Sequence, residues 1–221
     1  MSPAKKNLAA SVRQRLQNLA KARGDEFQFL LSEYAIERLL YRIGRSKHSD
    51  RFVLKGAKLF TLWSDQPHRA TWDLDLLGRG EHSVANLERT LGDICATTME
   101  EDGLEFDLAS IRGEEIRVDQ EYQGVRLTMT AHLARARIPV QVDIGFGDIV
   151  TPAPTMQTYP ALLDFPAPEI MTYMRETVVA EKFEAMVSLG RDNSRMKDFF
   201  DIHVLSLKFD FSGNRSLSRR S

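Results

Sequence analysis

Two aspartates lie two residues apart in RATWDLDLL, residues 69–77, a segment that alternates apolar and polar side chains like a β-strand. In a strand, residues i and i+2 share a face, so Asp73 and Asp75 project together. The apolar side chains expected to face the core from the other side are Trp72, Leu74 and Leu76. Mg²⁺ compensates paired carboxylates and takes substrate phosphates as further ligands. The pair therefore indicates a metal site or, alternatively, a solvent-facing edge strand.

A candidate phosphate-binding segment comes before this pair. VLKGAKL predicts a strand that stops at Gly56 and opens a helix. A helix start presents free backbone N–H groups to an anion. Lys55 and Lys58 flank the glycine and add positive charge.

A third carboxylate follows in IPVQVDIGF, where Asp143 interrupts an apolar strand. Alternation puts Asp143 on the face of Gln141 and Gly145, because the apolar residues occupy the other face. An ionised carboxylate there is costly without a partner or a metal. Three strand carboxylates beside a phosphate-sized helix start are typical of two-metal phosphoryl or nucleotidyl transfer.

Two predicted helices near the end of the chain add a lysine and more carboxylates. Lys182 interrupts an otherwise apolar helix row in RETVVAEKFEAMVSLG, so it either extends past its neighbours to solvent or meets an anion. In SRMKDFFDIHVLSL, Asp198 and Asp201 lie three residues apart on one helix face. Lys197 and Asp201 alternatively form a simple i,i+4 ion pair.

The elements around these residues predict helices first, then a mixed set of strands, then helices again. Gly24 is expected to end a first helix and Asp25 to cap a second. Five of the eight prolines fall between residues 151 and 168, which predicts an irregular connection between two lobes. We expect residues 1–150 to form the core with its N-terminal helices and residues 169–221 a C-terminal helical lobe.

Composition limits the class of protein. The 221-residue chain has a formal net charge of −1, unlike a general polyanion binder. Its single cysteine, Cys95, excludes a disulfide framework and fits a reducing compartment. The first apolar stretch is broken by Arg13 and Arg15, and no run is long enough to cross a membrane, so we expect a soluble cytoplasmic protein without membrane contact.

Positive charge is concentrated at the N-terminus. The first 24 residues carry six cations and no acid. This charge predicts either an RNA-guiding surface or a solvated helix face. The candidate RNA-binding residues are Arg13, Arg15, Lys21 and Arg23.

Four segments, in order, resemble the motifs of the AbiEii type of nucleotidyltransferase-like toxins, which include the mycobacterial MenT-type toxins. They are FVLKGAKLF, RATWDLDLL, VVAEKFEAMV and SRMKDFFDI, and the resemblance runs from about residue 28 to 207. It implies an α+β fold of the polymerase-β-like nucleotidyltransferase superfamily, with a mixed sheet, flanking helices and a C-terminal helical lobe. The region after the last motif is expected to be shorter than in such toxins.

The resemblance also implies roles for single residues. Gly56 and Ala57 match the phosphate-cradling pair, although relatives more often carry Gly or Ser at the second position. Asp73 and Asp75 match the metal-binding pair, with Asp143 as candidate third carboxylate. Lys182 matches the triphosphate-binding lysine and Asp198 the aspartate of the last motif.

The implied activity is Mg²⁺- or Mn²⁺-dependent transfer of nucleotides from an NTP to RNA, with a tRNA acceptor end as the expected target. A cognate antitoxin encoded nearby is the implied partner. A metal-dependent nuclease is an alternative, but such sites often carry a lysine where this strand has Leu77. A catalytically degenerate nucleotide- or RNA-binding module is the other alternative, favoured by Ala57 and the short closing region.

Overall fold

The computed structural model describes residues 3–64, 70–117, 123–147, 150–189 and 196–209. The helices are α1 (Pro3–Arg23), α2 (Phe27–Arg45), α3 (Phe60–Trp63), α4 (Val84–Cys95), α5 (Arg175–Leu189) and α6 (Met196–Lys208). The strands are β1 (Phe52–Lys55), β2 (Asp73–Gly78), β3 (Leu104–Arg117), β4 (Gln123–Leu133), β5 (Ala136–Gly145), β6 (Thr155–Thr158) and β7 (Glu169–Thr172). The closing segment, residues 210–221, lies outside the described residues.

The strands form one sheet of seven, in the order β3-β4-β5-β2-β1-β7-β6. Strand β2 lies between β5, to which it is parallel, and β1, to which it is antiparallel. Strands β1 and β7 are also parallel, so the sheet is mixed. This confirms the predicted α+β class with a mixed sheet and flanking helices.

One hydrophobic core holds the helices to the sheet. Each fully buried leucine contributes roughly 2 kcal/mol by leaving water. The core draws on α1, α2, β1, β2, β4 and β5, and representative members are Val12, Leu16, Leu39, Leu40, Leu54, Leu74, Leu127 and Val142. On β2, Leu74 and Leu76 are buried in this core. Asp73 and Asp75 alternate with them and therefore project from the opposite face of the strand.

The N-terminal helices meet the predictions with one exception. Helix α1 buries Ala9, Val12 and Leu16, and it ends before Gly24, whose φ of 74° suits a residue without a side chain. The predicted cap at Asp25 is wrong. Glu26 precedes α2 instead, and its side chain makes no capping hydrogen bond.

Buried polar contacts attach α2 to two loops. Arg42 donates to Asp102 at 2.9 Å, and Arg38 donates to the same carboxylate at 3.2 Å. Glu37 accepts the backbone N–H of Leu162 at 2.7 Å. Burial raises the pKa of Glu37 to about 7, although the Leu162 and Arg38 contacts oppose the shift. These bonds fix the segment before β3 and the segment before β7.

The proline-rich segment takes part in the sheet. Residues 155–158 form β6, the edge strand paired antiparallel with β7. An edge position suits this segment because Pro152 and Pro154, just before β6, have no N–H to donate to a neighbouring strand. The division into core, connection and C-terminal lobe stays a prediction.

One local expectation was wrong, the burial of Trp72, and two further segments differ in detail from what the sequence indicates. Trp72 does not face the core, because β2 starts only at Asp73. The Trp72 side chain is 42% exposed, and its ring lies edge-on to that of Phe29, with 5.4 Å between the ring centroids. The β-like residues 104–117 form one long strand, β3, with a register shift between Asp107 and Arg112. The helix expected after Gly56 is present, but it begins as a 3₁₀ turn, Gly56–Leu59, and continues as the single turn α3.

Alanine substitutions at two helical glycines are expected to change the free energy of unfolding in opposite directions. A methyl group at Gly44 would overlap the carbonyl oxygen of Glu169, so α2 would have to move away from β7. A methyl group at Gly92 would meet only Ile111, at 4.0 Å. We expect Gly44→Ala to lower the free energy of unfolding by about 2 kcal/mol and Gly92→Ala to raise it by roughly 0.5–1 kcal/mol.

Urea denaturation followed by circular dichroism measures both changes. Because the substitution is the same in both helices, helix propensity cancels from the comparison. A stabilised Gly44→Ala would show that α2 does not pack against β7 as closely as described.

Candidate active site

Strand pairing places four charged residues in one row across the sheet. Lys55 on β1 lies opposite Asp75 on β2, and Asp75 lies opposite Asp143 on β5. Asp143 in turn lies opposite Arg126 on β4. Directly paired residues project from the same face, so these four form a line, here called the charged row. Asp73 lies in the adjacent row, opposite Gln141.

The three predicted carboxylates therefore lie close together, and their negative charges repel one another. Burial raises the pKa of Asp75 to about 6, and the negative charges of Asp143 and Asp73 add to this shift. Lys55 lowers the same pKa and so offsets part of the effect. A cation beside Asp75 would relieve both desolvation and repulsion, and carboxylate oxygens suit Mg²⁺ or Mn²⁺.

Asp143 differs from the other two aspartates because an arginine engages it. Arg126 donates from Nε to Oδ1 and from Nη2 to Oδ2, both at 2.8 Å. The bond to Asp143 raises the pKa of the Arg126 guanidinium. The side-chain amide of Gln141 lies 3.3 and 3.4 Å from the two carboxylate oxygens. Sequence reasoning missed Arg126. Its position between the apolar Val125 and Leu127 was the signal for a polar side chain on the site face.

Gly56 is required by the close approach of Asp75. Its φ is 71°, a conformation that residues with side chains rarely adopt. A Cβ atom there would overlap Oδ2 of Asp75 and lie 2.7 Å from its Cβ and Cγ. Ala57, which follows, is buried at 7% exposure and points into the protein. A role of either residue in holding phosphate stays a prediction.

The two lysines beside Gly56 make different contacts. Lys55 donates to Glu181 on α5 at 2.6 Å and so connects the charged row to the C-terminal helices. Lys58 is buried, donates to the carbonyl of Thr71 at 2.6 Å and pairs with Glu33. Burial lowers the pKa of Lys58, and Glu33 opposes that shift. Lys58 therefore fixes the chain just before Asp73.

Lys182 meets two carboxylates. Its Nζ lies 2.7 Å from Asp198 and 2.8 Å from Asp201, which joins α5 to α6. Asp201 is fully buried, and Lys182 is only 9% exposed. The sequence left two alternatives for Lys182, extension to solvent or contact with an anion. Its contacts agree with the second. Glu181, the preceding residue, reaches Lys55.

Residues 38–220 match a family model described as Nucleotidyl transferase AbiEii toxin, Type IV TA system. The chain belongs to this AbiEii family. It is therefore a nucleotidyltransferase toxin of a toxin–antitoxin system, as the motifs predicted. Membership implies an NTP substrate and an antitoxin partner.

Two solved structures from Helicobacter pylori resemble this AbiEii-family chain. The first, a candidate nucleotidyltransferase, has a TM-score of 0.51 and 14% identity, and the match covers 83% of this chain and 70% of that one. The second, JHP933, has a TM-score of 0.49 and 14% identity, and the match covers 83% and 68% of the two chains. The first supports the nucleotidyltransferase fold. A comparison with curated proteins finds no match.

Within the described ranges of the AbiEii-family chain, no group of three or more His, Cys, Asp or Glu side chains is arranged to hold a metal ion. The fork of Arg126 fits this result, because it engages both oxygens of Asp143. None of the helices described is long and apolar enough to cross a bilayer.

The basic residues of α1 make contacts away from the charged row. The Arg13 guanidinium lies over the ring of Phe27, 5.1 Å from its centroid. Arg15 pairs with Asp164. Lys21 and Arg23 are exposed. The proposed RNA contact stays a prediction, with Lys21 and Arg23 the most accessible of the four.

The contacts of Lys182 predict a large stability effect. Lys182→Met leaves two buried carboxylates without their cation, so we expect the free energy of unfolding to fall by about 3 kcal/mol. Adding Asp198→Asn and Asp201→Asn should restore most of that stability, because the two buried negative charges are then gone. Urea denaturation measures both, and Lys197→Met, on the exposed side of α6, is the matched control.

Equal instability of the single and triple variants would assign the effect to the packing of the lysine stem. A stable Lys182→Met would show that the two carboxylates find other partners.

Proposed function

We propose that this AbiEii-family toxin uses a divalent metal, Mg²⁺ or Mn²⁺, to transfer nucleotides from an NTP to RNA, at a tRNA acceptor end. The observation that carries the proposal is the convergence of Asp73, Asp75 and Asp143 on one face of the sheet, where the carboxylates repel one another. The toxin would act in the cytoplasm and be neutralised by an antitoxin encoded nearby.

Asp73 and Asp75 would hold the metal on the face of β2 opposite the core. The bound metal would neutralise charge on the triphosphate and stabilise the leaving pyrophosphate. Gly56 would let the backbone approach the phosphates next to Asp75, because a side chain there would overlap the Asp75 carboxylate. Lys55 is held next to Asp75 by Glu181 and would supply positive charge to the same substrate.

Lys182 and Asp198 would act as a unit at the other side of the site. Lys182 would neutralise the β- and γ-phosphates, and Asp198 would hold its ammonium in place at 2.7 Å. Because Lys182 already pairs with two carboxylates, triphosphate would have to compete with them or share the ammonium. Ala57 and Lys58 would support the segment beneath the phosphates from their buried positions.

The nuclease alternative lacks support at one position. A hydrolytic site of this type often carries a lysine two residues after the second aspartate, on the same face. Leu77 occupies that position and is buried at 4% exposure. Transfer therefore accounts better than hydrolysis for this arrangement.

The aspartate pair gives the main test. We expect Asp73→Asn and Asp75→Asn each to lower transfer from an α-labelled NTP to total tRNA by about a thousandfold. The fold should survive, because each substitution removes one of several like charges. Gel analysis of labelled RNA and thermal denaturation measure the two effects.

Asp25→Asn is the matched control, because Asp25 is exposed and far along the chain from the site. Normal transfer by either site variant at limiting Mg²⁺ would exclude the metal role. Shortened RNA without incorporated label would instead identify a nuclease, and neither signal with the wild type would indicate a binding module.

The basic helix gives a second test. Replacing its four cations by glutamine should weaken tRNA binding and flatten its salt dependence by about 0.7–0.9 log units for each phosphate that is no longer neutralised. The substituted residues are Arg13, Arg15, Lys21 and Arg23. Lys21→Gln with Arg23→Gln alone should give most of the effect, because Arg15 is already paired with Asp164. Filter binding across a salt series measures the slope.

A control of equal charge removes four exposed arginines elsewhere: Arg79, Arg89, Arg135 and Arg137. An equal change in both quadruple variants would reveal only the effect of net charge. An unchanged slope in the α1 variant would remove the RNA-guiding role and leave a solvated face or an antitoxin contact. NTP binding should be unchanged in either set.

A further inference from the structure

The contact between Arg126 and Asp143 uses both oxygens of the carboxylate. Two parallel hydrogen bonds of 2.8 Å join the guanidinium fork to Oδ1 and Oδ2. Bidentate contacts of this kind are the strongest that arginine makes with a carboxylate, and they fix its orientation. A metal could bind Asp143 only by displacing one of these bonds or sharing an oxygen with it.

The fork is also partly protected from water. The side chain of Asp143 is 18% exposed and that of Arg126 is 35% exposed. The two residues are direct partners on neighbouring strands, so the backbone holds their separation. Partial burial strengthens such a contact relative to a surface ion pair, which would exchange freely with solvent.

The other two aspartates of the site lack this contact. Within the described part of the chain, neither Asp73 nor Asp75 forms an ion pair within hydrogen-bonding distance. Lys55, the direct strand neighbour of Asp75, pairs with Glu181 instead. The structure therefore divides three clustered carboxylates into one neutralised group and two that still need a cation.

We propose that Arg126 is a positioning residue that keeps Asp143 out of the metal's coordination shell, so that Asp73 and Asp75 are the carboxylate ligands among these three. This inference rests on the proposed metal-dependent function and deepens it. Arg126 keeps one negative charge out of the shell and leaves coordination positions to the triphosphate oxygens. Because Arg126 holds Asp143 in place, repulsion from Asp143 limits how far the Asp75 carboxylate can move towards it.

Variants that change the charges of Arg126 and Asp143 test this inference. Arg126→Gln removes the fork and leaves a third carboxylate without its cation, so Mn²⁺ without nucleotide should bind about tenfold more tightly. Arg126→Gln combined with Asp143→Asn replaces the ion pair by a neutral pair of equal net charge. That double variant should bind Mn²⁺ within about threefold of the wild type. Electron paramagnetic resonance of free Mn²⁺ measures the affinity on the full chain.

Opposite results would overturn the inference. If Asp143 is a ligand, the double variant loses Mn²⁺ affinity as strongly as Asp73→Asn does. If Arg126 only stabilises the sheet, Arg126→Gln leaves Mn²⁺ affinity unchanged. Should Arg126→Gln fail to fold, the double variant still decides the point, because its two amides can bond to each other.

Failure of the proposed function gives a different pattern. In that case Asp73→Asn and Asp75→Asn bind Mn²⁺ as the wild type does, and no metal role remains for Arg126 to control. If those variants lose Mn²⁺ and the double variant loses it equally, the function stands and only the role of Arg126 is wrong.

Discussion

Repulsion among Asp73, Asp75 and Asp143 is the constraint around which the site is built. The aspartates lie on neighbouring strands whose backbone pairing holds them close, and the buried core face of β2 prevents them from turning away. Each nearby cation offsets part of this charge in a different way. Arg126 engages Asp143 directly, Lys55 opposes the raised pKa of Asp75 from the next strand, and the remainder is what a divalent metal would neutralise.

The segments around β2 are shaped by the same requirement. Gly56 has a positive φ and no side chain, which leaves room for the Asp75 carboxylate against the backbone. Lys58 is buried, which lowers its pKa, and it holds Thr71 just before the strand begins. These residues place the carboxylates through backbone geometry, so their contribution to the proposed reaction does not require contact with substrate.

The C-terminal helices depend on ion pairs as well as on apolar packing. Lys182 joins α5 to α6 through two aspartates, and Glu181 joins α5 to the charged row through Lys55. Several large apolar side chains of these helices are exposed, among them Phe183, Val187 and Leu207. The Lys55–Glu181 ion pair therefore links the charged row to α5 next to Lys182.

Sequence alone determined the chemistry and the placement of Asp73, Asp75 and Asp143 on strand faces, because a strand's two-residue period is a local property. It also determined the family, because four ordered motifs can be recognised without knowledge of their contacts. It could not identify Arg126, since a lone arginine in an alternating strand has no motif and its partner is 17 residues away. Nor could it assign Lys55 to Glu181 or Lys182 to Asp198, because such pairings depend on how helices dock on the sheet. Only the tertiary structure decided which of these carboxylates pairs with an arginine of the protein, because that pairing depends on how β4 and β5 align.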